Sequence, residues 1–96
     1  MYFKVHKGQH SDVVAVCDEN ILGKTFEEGK YCITISEHFY KGEKGNAATI
    51  AHLVRDASNV NLIGKESVAL GLKVGIITKE NIVVIAGVPH AQAYAQ

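Results

Sequence analysis

The first third of the chain alternates short apolar runs with polar breaks. Tyr2 to His6 and Asp12 to Asp18 are β-branched-rich runs, separated by the glycine-containing Lys7-Gly8-Gln9-His10-Ser11. Two such runs around a short polar break predict an antiparallel hairpin. Glu19 to Lys30, interrupted by Gly23 and Gly29, has no sustained period and reads as a functional loop. From Lys30 to Ser36 the pattern alternates strictly, with Tyr31, Ile33 and Ile35 on one face and Cys32, Thr34 and Ser36 on a wetter one, which predicts a further strand.

The period then changes from two to nearly four. Ala47, Ile50, Leu53, Val54 and Ala57 recur at helical spacing behind Asn46, a natural N-cap, while His52, Arg55 and Asp56 fall elsewhere. Val60 to Ile63 is a short strand, Lys65 to Val74 a second helix closed by Gly75, and Ile82 to Ala86 an apolar, buried-looking strand. Strand, helix and strand in that order predict a βαβ unit with a right-handed crossover. The expected fold is therefore a two-layer α+β domain. Its mixed sheet has about five strands, antiparallel through Tyr2–Ser36, with a parallel pair in the C-terminal βαβ unit and two covering helices. Ala91 to Gln96 reads as a frayed tail.

Composition narrows the class. The 96 residues, 47% hydrophobic and 21% charged, suffice for one modest core, so a single domain is expected over 1–96. Ten basic and ten acidic residues cancel, so no long-range field gathers nucleic acid or an anionic membrane, and anion recognition has to be local. No charged-then-apolar leader is visible, and no apolar run approaches the roughly 20 residues of a membrane span. A cytoplasmic protein without membrane attachment is expected. Cys17 and Cys32 lack C-x-x-C spacing and read as structural thiols; Cys32, on the wetter face, has the better case for reactivity.

The chemistry concentrates where two loops are expected to meet. If Val60–Ile63 and Ile82–Ala86 run parallel, their carboxyl ends share the sheet edge at which open α/β structures bind ligands. One loop is Asn61 to Ser67, where the chain passes from strand to helix and leaves the amides of Lys65, Glu66 and Ser67 unpaired. Such amides, with the positive end of the helix dipole, suit a phosphate or carboxylate. The other loop is Gly87-Val88-Pro89-His90, whose histidine, with Lys65, completes the expected anion site. The competing readings are structural: Gly64 as a plain turn before a helix, Pro89 as a strand stop or a cis peptide, and His90 as an exposed or hydrogen-bonded side chain. No catalytic residue, metal site or cofactor is assigned: the histidines have no ligand spacing with either cysteine, and the adjacent Glu27 and Glu28 point apart on an extended segment.

The segments CDENILGKTFEEGK, NLIGKESVALGLKVGIIT and VIAGVPHAQ together resemble the small archaeal family called domain of unknown function 424, over Tyr2 to Gln92. Gly87-Val88-Pro89-His90-Ala91-Gln92 carries most of the resemblance, with Leu22-Gly23-Lys24 and Asn61-x-x-Gly64 in support. The resemblance implies an archaeal cytosolic protein, provisionally classed with RNA-binding, translation-associated proteins. Two functional expectations follow. One is a non-catalytic module binding RNA, or a ribosome or translation-factor assembly, through Lys24, Lys65 and His90 with aromatic side chains for stacking. The other is a site for a phosphate-bearing small molecule, enzymatic or not, in which the helix amides hold the anion and His90 serves as acid or base. Across both, the candidate ligand-binding residues are Lys24, Asn61, Gly64, Lys65, Ser67, Gly87, Pro89, His90 and Gln92.

Overall fold

In a computed structural model, which describes residues 1–94, the chain forms an α+β fold. Strands β1 (Tyr2–His6) and β2 (Val13–Cys17) make the expected hairpin. A 3₁₀ turn at Glu19–Ile21 leads into β3 (Thr25–Glu28) and β4 (Tyr31–Thr34), then a one-turn helix α1 (Glu37–Tyr40), the two-residue β5 (Glu43–Lys44) and helix α2 (Ala47–Asp56). Strand β6 (Asn59–Ile63), helix α3 (Lys65–Val74), a 3₁₀ turn at Lys79–Asn81, and strands β7 (Ile82–Ile85) and β8 (Val88–Tyr94) complete it. Six strands form one mixed sheet in the order β5-β1-β2-β6-β8-β7, and β3 and β4 form a separate two-stranded sheet.

The centre of the sheet explains the longest apolar run in the first half of the chain. β2 pairs antiparallel with β1 and parallel with β6, so both its edges are bonded, and both its faces are covered. Val14 and Val16 point to one face with Val60 and Leu62 of β6, against Ile50 and Val54 of α2 and Val68 and Leu70 of α3. Ala15, Cys17 and Ile63 point to the other, where Ile35, Tyr40 and the hairpin residues Phe26 and Ile33 close over them. The β3–β4 hairpin and α1 thus form a partial layer opposite the two long helices. The strand expected over Lys30–Ser36 exists, but it joins β3 inside the presumed loop instead of extending the main sheet. On it only Ile33 and Ile35 turn inward; Tyr31 is 65% exposed.

Both long helices start and stop where the sequence indicates. Asn46 Oδ1 accepts the Thr49 amide at 2.9 Å and starts α2. Gly75, at φ 82°, closes α3 with its N–H donated to the carbonyls of Gly71 and Leu72.

The C-terminal region departs from a βαβ unit of adjacent strands. β6 and β7 do run parallel, but β8 lies between them, antiparallel to both. Ala91–Tyr94, expected as a frayed tail, are therefore interior strand; residues 95 and 96 lie outside the described part. The misreading has a physical cause: His-Ala-Gln-Ala lacks β-branched residues, so its strand conformation comes from pairing on both sides and not from local preference. Conversely Ile82–Ile85, which read as buried, is an edge strand with Val83 57% and Val84 56% exposed.

A two-residue turn, Ala86 at φ 52° and Gly87 at φ 79°, joins β7 to β8 in the I′ conformation that suits strand twist. Pro89 is accommodated inside a paired strand because nothing is required of its missing N–H. Its trans peptide faces the end of β6, where its carbonyl accepts the Gly64 amide at 2.9 Å, while the Gly64 carbonyl is already taken by Val68 N–H inside α3. Left-handed Ala86 is the strained position of this turn. Ala86→Asn, a residue tolerant of that conformation, is expected to stabilise the fold by up to about 1 kcal/mol in urea unfolding, with the slope of the transition unchanged.

Candidate functional site

The chain passes from β6 into α3 at Gly64, whose φ of 105° is open only to glycine and whose position lets no side chain intervene. A Cβ there would overlap the carboxyl group of Asp18, the residue that follows β2. That carboxylate is 4% exposed and caps the helix from a distant part of the sequence. Its oxygens accept from Glu66 N at 2.9 Å, Ser67 N at 2.8 Å and Ser67 Oγ at 2.7 Å. Two of the three amides expected to receive an external phosphate are thus occupied by the protein's own carboxylate, which also takes the favourable end of the helix dipole. Ser67 is fully buried beneath it.

In front of this junction lies an open crevice of about 720 Å³, bounded by Asp18–Ile21, Phe26, Gly64–Glu66 and the turn Ala86–Pro89. Four candidate residues, Gly64, Lys65, Gly87 and Pro89, meet here as the sequence foretold. The charge differs from expectation: Glu66, and Glu19 in its pair with Lys44, stand with Asp18 beside Lys65. This lining disfavours a phosphate.

Asn61, His90 and Gln92 collect on a second surface. They lie on the sheet face away from α2 and α3, where Asn61 is directly opposite Gln92 across the β6–β8 pair and His90 is opposite Ile63. Tyr94 follows on the same face of β8 by alternation. Val83, His90, Gln92, Tyr94 and Asn81 surround a shallow hollow of about 370 Å³ that the β3–β4 hairpin leaves uncovered. The His90 imidazole Nε2 lies 3.1 Å from Asn61 Oδ1, which also accepts the Tyr40 hydroxyl at 2.6 Å. With Asn61 Oδ1 as acceptor of both, His90 is the Nε2–H tautomer and donates, leaving Nδ1 as its acceptor. Burial lowers the His90 pKa from its ordinary value. Burial, then the nearby Cys17, raises that of Tyr40. Tyr94 Oη donates to Gln92 Oε1 at 2.9 Å, so Gln92 presents its amide nitrogen as donor.

Lys24 belongs to neither group. It enters the β3–β4 hairpin, its backbone bonded to Ile21 and Ile35, and its side chain is exposed. The expected trio of Lys24, Lys65 and His90 is therefore divided among the hairpin, the crevice and the sheet face. Cys17 is buried, its thiol pushed up to about 12 by burial and then by Asp18, and Cys32 is exposed on the hairpin. Among the described residues, no group of three or more His, Cys, Asp and Glu side chains is arranged to hold a metal ion, and no helix is long and apolar enough to cross a membrane. The sequence reading missed Asp18, Tyr40 and Tyr94. Only Tyr94 had a local signal, the two-residue alternation His90-x-Gln92-x-Tyr94.

The geometry defines an α+β protein with a mixed central sheet, a self-capped strand-to-helix junction and an open polar and aromatic sheet face. The chain belongs to the family described as protein of unknown function (DUF424), whose model matches residues 5–95. A crystal structure of an uncharacterized conserved protein from Methanopyrus kandleri has the same fold, with a TM-score of 0.80 and 24% identity, over 99% of this chain and 92% of that one. No curated protein matches the chain.

Two outcomes test the site's internal chemistry. Asp18→Ala leaves the buried Ser67 donors and the part-buried Glu66 amide without an acceptor and is expected to cost roughly 3 kcal/mol in denaturant unfolding, with Asp18→Asn in between. For His90 the sign follows from its lowered pKa. The unfolded chain binds the proton more readily, so the His90 contribution is fully present above the ordinary value of 6.5 and is lost as pH falls below it towards the folded value. His90→Gln is expected to flatten the fall in urea midpoint between pH 7 and pH 5, roughly the range spanning imidazole titration.

Proposed function

We propose that the protein is a non-catalytic module that binds single-stranded RNA on the open half of its main sheet. The observation that carries this reading is the row His90, Gln92 and Tyr94 on one face of β8, with Asn61 beside Gln92 on β6. Unpaired bases are recognised by stacking on aromatic rings and by hydrogen bonds to their edges, and this row offers both: the His90 and Tyr94 rings for stacking, the Gln92 amide as donor. Tyr94 is 65% exposed and so open to a base. Strand geometry holds the row at fixed spacing without any ordering on binding. A setting in translation and an archaeal source rest on the family resemblance, the latter supported by the Methanopyrus kandleri neighbour.

The balance of ten basic and ten acidic residues makes stacking, and not phosphate neutralisation, the main source of affinity. A phosphate-bearing small molecule at α3 has less support, since Asp18 holds two of its amides and acidic groups line the crevice. Fluorescence anisotropy with short single-stranded RNA tests the proposal. Tyr94→Ala and His90→Ala are each expected to weaken binding about tenfold, within the range for one lost base stack. The salt dependence should be shallow, at about −0.7 in log affinity per log salt for each phosphate contact. Binding indifferent to Tyr94 and His90, or no binding to any cellular RNA pool, sinks the proposal.

A further inference from the structure

The two edges of the main sheet are unlike. At one, β5 is two residues long, both charged, and its Lys44 is paired to Glu19 at 2.7 Å, the kind of edge that resists further strands. At the other, β7 is Ile82-Val83-Val84-Ile85, with neither charge nor proline, and its two valines are more than half exposed.

The hydrogen-bond register of β7 follows from the turn and from Pro89. In a two-residue hairpin the residues flanking the turn, Ile85 and Val88, exchange both bonds, so Val84 and Pro89 form a non-hydrogen-bonded pair and Val83 and His90 a bonded one. Pro89, with no N–H, fits only the non-bonded place. The amide and carbonyl of Val83 and of Ile85 therefore point into the sheet, and those of Ile82 and Val84 point out from its edge. Two outward residues separated by one define a self-complementary ladder. Placed antiparallel to itself, Ile82 of one copy bonds Val84 of the other, and Val83 falls on the two-fold axis facing its own symmetry mate.

We propose that β7 is a self-association edge, at which two copies of this chain pair about a two-fold axis through Val83 and join their six-stranded sheets into one of twelve strands. The uncharged, self-matching edge favours a second copy as the occupant. Antiparallel pairing sets the exposed Lys79–Glu80 turn of each copy alongside the Ala86–Gly87 turn of the other. The arrangement keeps the two Lys79–Glu80 turns apart and sets each against the uncharged Ala86–Gly87 turn, so no like charges meet. Every residue on the pairing edge is neutral and apolar, so the edge matches itself without an unpaired charge. A four-residue ladder buries less than the roughly 800 Å² per partner of a stable interface, so association belongs to the micromolar-to-millimolar range. The inference does not depend on RNA binding.

Sedimentation velocity across that range, with amide hydrogen exchange on the same samples, tests it. The expected result is a concentration-dependent dimer in which the Ile82 and Val84 amides gain protection. Val83→Lys, which sets like charges face to face on the axis, should leave a folded monomer. In a Cys32→Ser background, Val83→Cys should form a disulfide-linked dimer under diamide, because a non-hydrogen-bonded pair holds Cα atoms about 4.5 Å apart, within disulfide range. A monomer at every concentration, whether its edge stays bare or is taken by another protein's strand, overturns the proposal. So does a dimer that Val83→Lys leaves intact.

Discussion

A carboxylate with almost no access to water joins two parts of this protein that are far apart in sequence. Asp18 directly follows β2, and the amides and hydroxyl it binds begin α3, 49 residues later at Ser67. Burying a charge is costly unless hydrogen bonds replace its hydration, and here three short ones do so. The requirement fixes several other features. Gly64 has to be glycine to let the carboxylate approach, the parallel register of β2 on β6 has to bring the two strand ends level, and α3 has to start at Lys65. Because Gly64 also donates to the Pro89 carbonyl, the same junction sets the register of β8.

That junction also decides what chemistry the strand ends can perform. A free helix N-terminus is an anion site; one satisfied from within is a structural clamp. The crevice before it keeps its shape but takes an acidic character, and the residues with recognition chemistry left to them lie around the corner on the sheet face. There Asn61 receives hydrogen bonds from Tyr40 and His90 at once, which orients the imidazole from below while its outer side stays open. His90 is therefore held by the sheet and not carried on a loose terminus.

Much of this was legible in the sequence wherever a local rule governs. Asn46 ahead of an apolar stripe, and Gly75 after one, located α2 and α3 because caps act over one turn. The β1–β2 hairpin was legible for the same reason. The failures share a cause in long-range pairing. Val83 and Val84 look like core residues by hydrophobicity, and only the position of β8 makes them an edge. The alanines at 91 and 93 look weakly structured, yet they fit beneath the helices because they are small. For the candidate site, the gathering of Gly64, Lys65, Gly87 and Pro89 followed from strand ends sharing one sheet edge. Asp18 was invisible, since nothing in Cys-Asp-Glu-Asn reports a helix far down the chain. Asn61, His90 and Gln92 were named, but as part of one site with Gly64 and Lys65, because the register that sets them on a separate face was not legible.

The seating of β8 between β6 and β7 bears on how the sheet assembles and how it opens. The strand that fills the interior place follows both its neighbours in sequence, so β6 keeps an open edge until β8 arrives. With so tight a turn, β7 and β8 can close on each other as a local hairpin, an event of roughly 1–10 µs, before the pair docks along β6 as one piece. The reverse step is equally concerted. When β8 leaves β6 it takes β7 with it, so residues 82–94 form one unit of local unfolding, and the amides of β6 that face β8 lose their protection together and not one at a time.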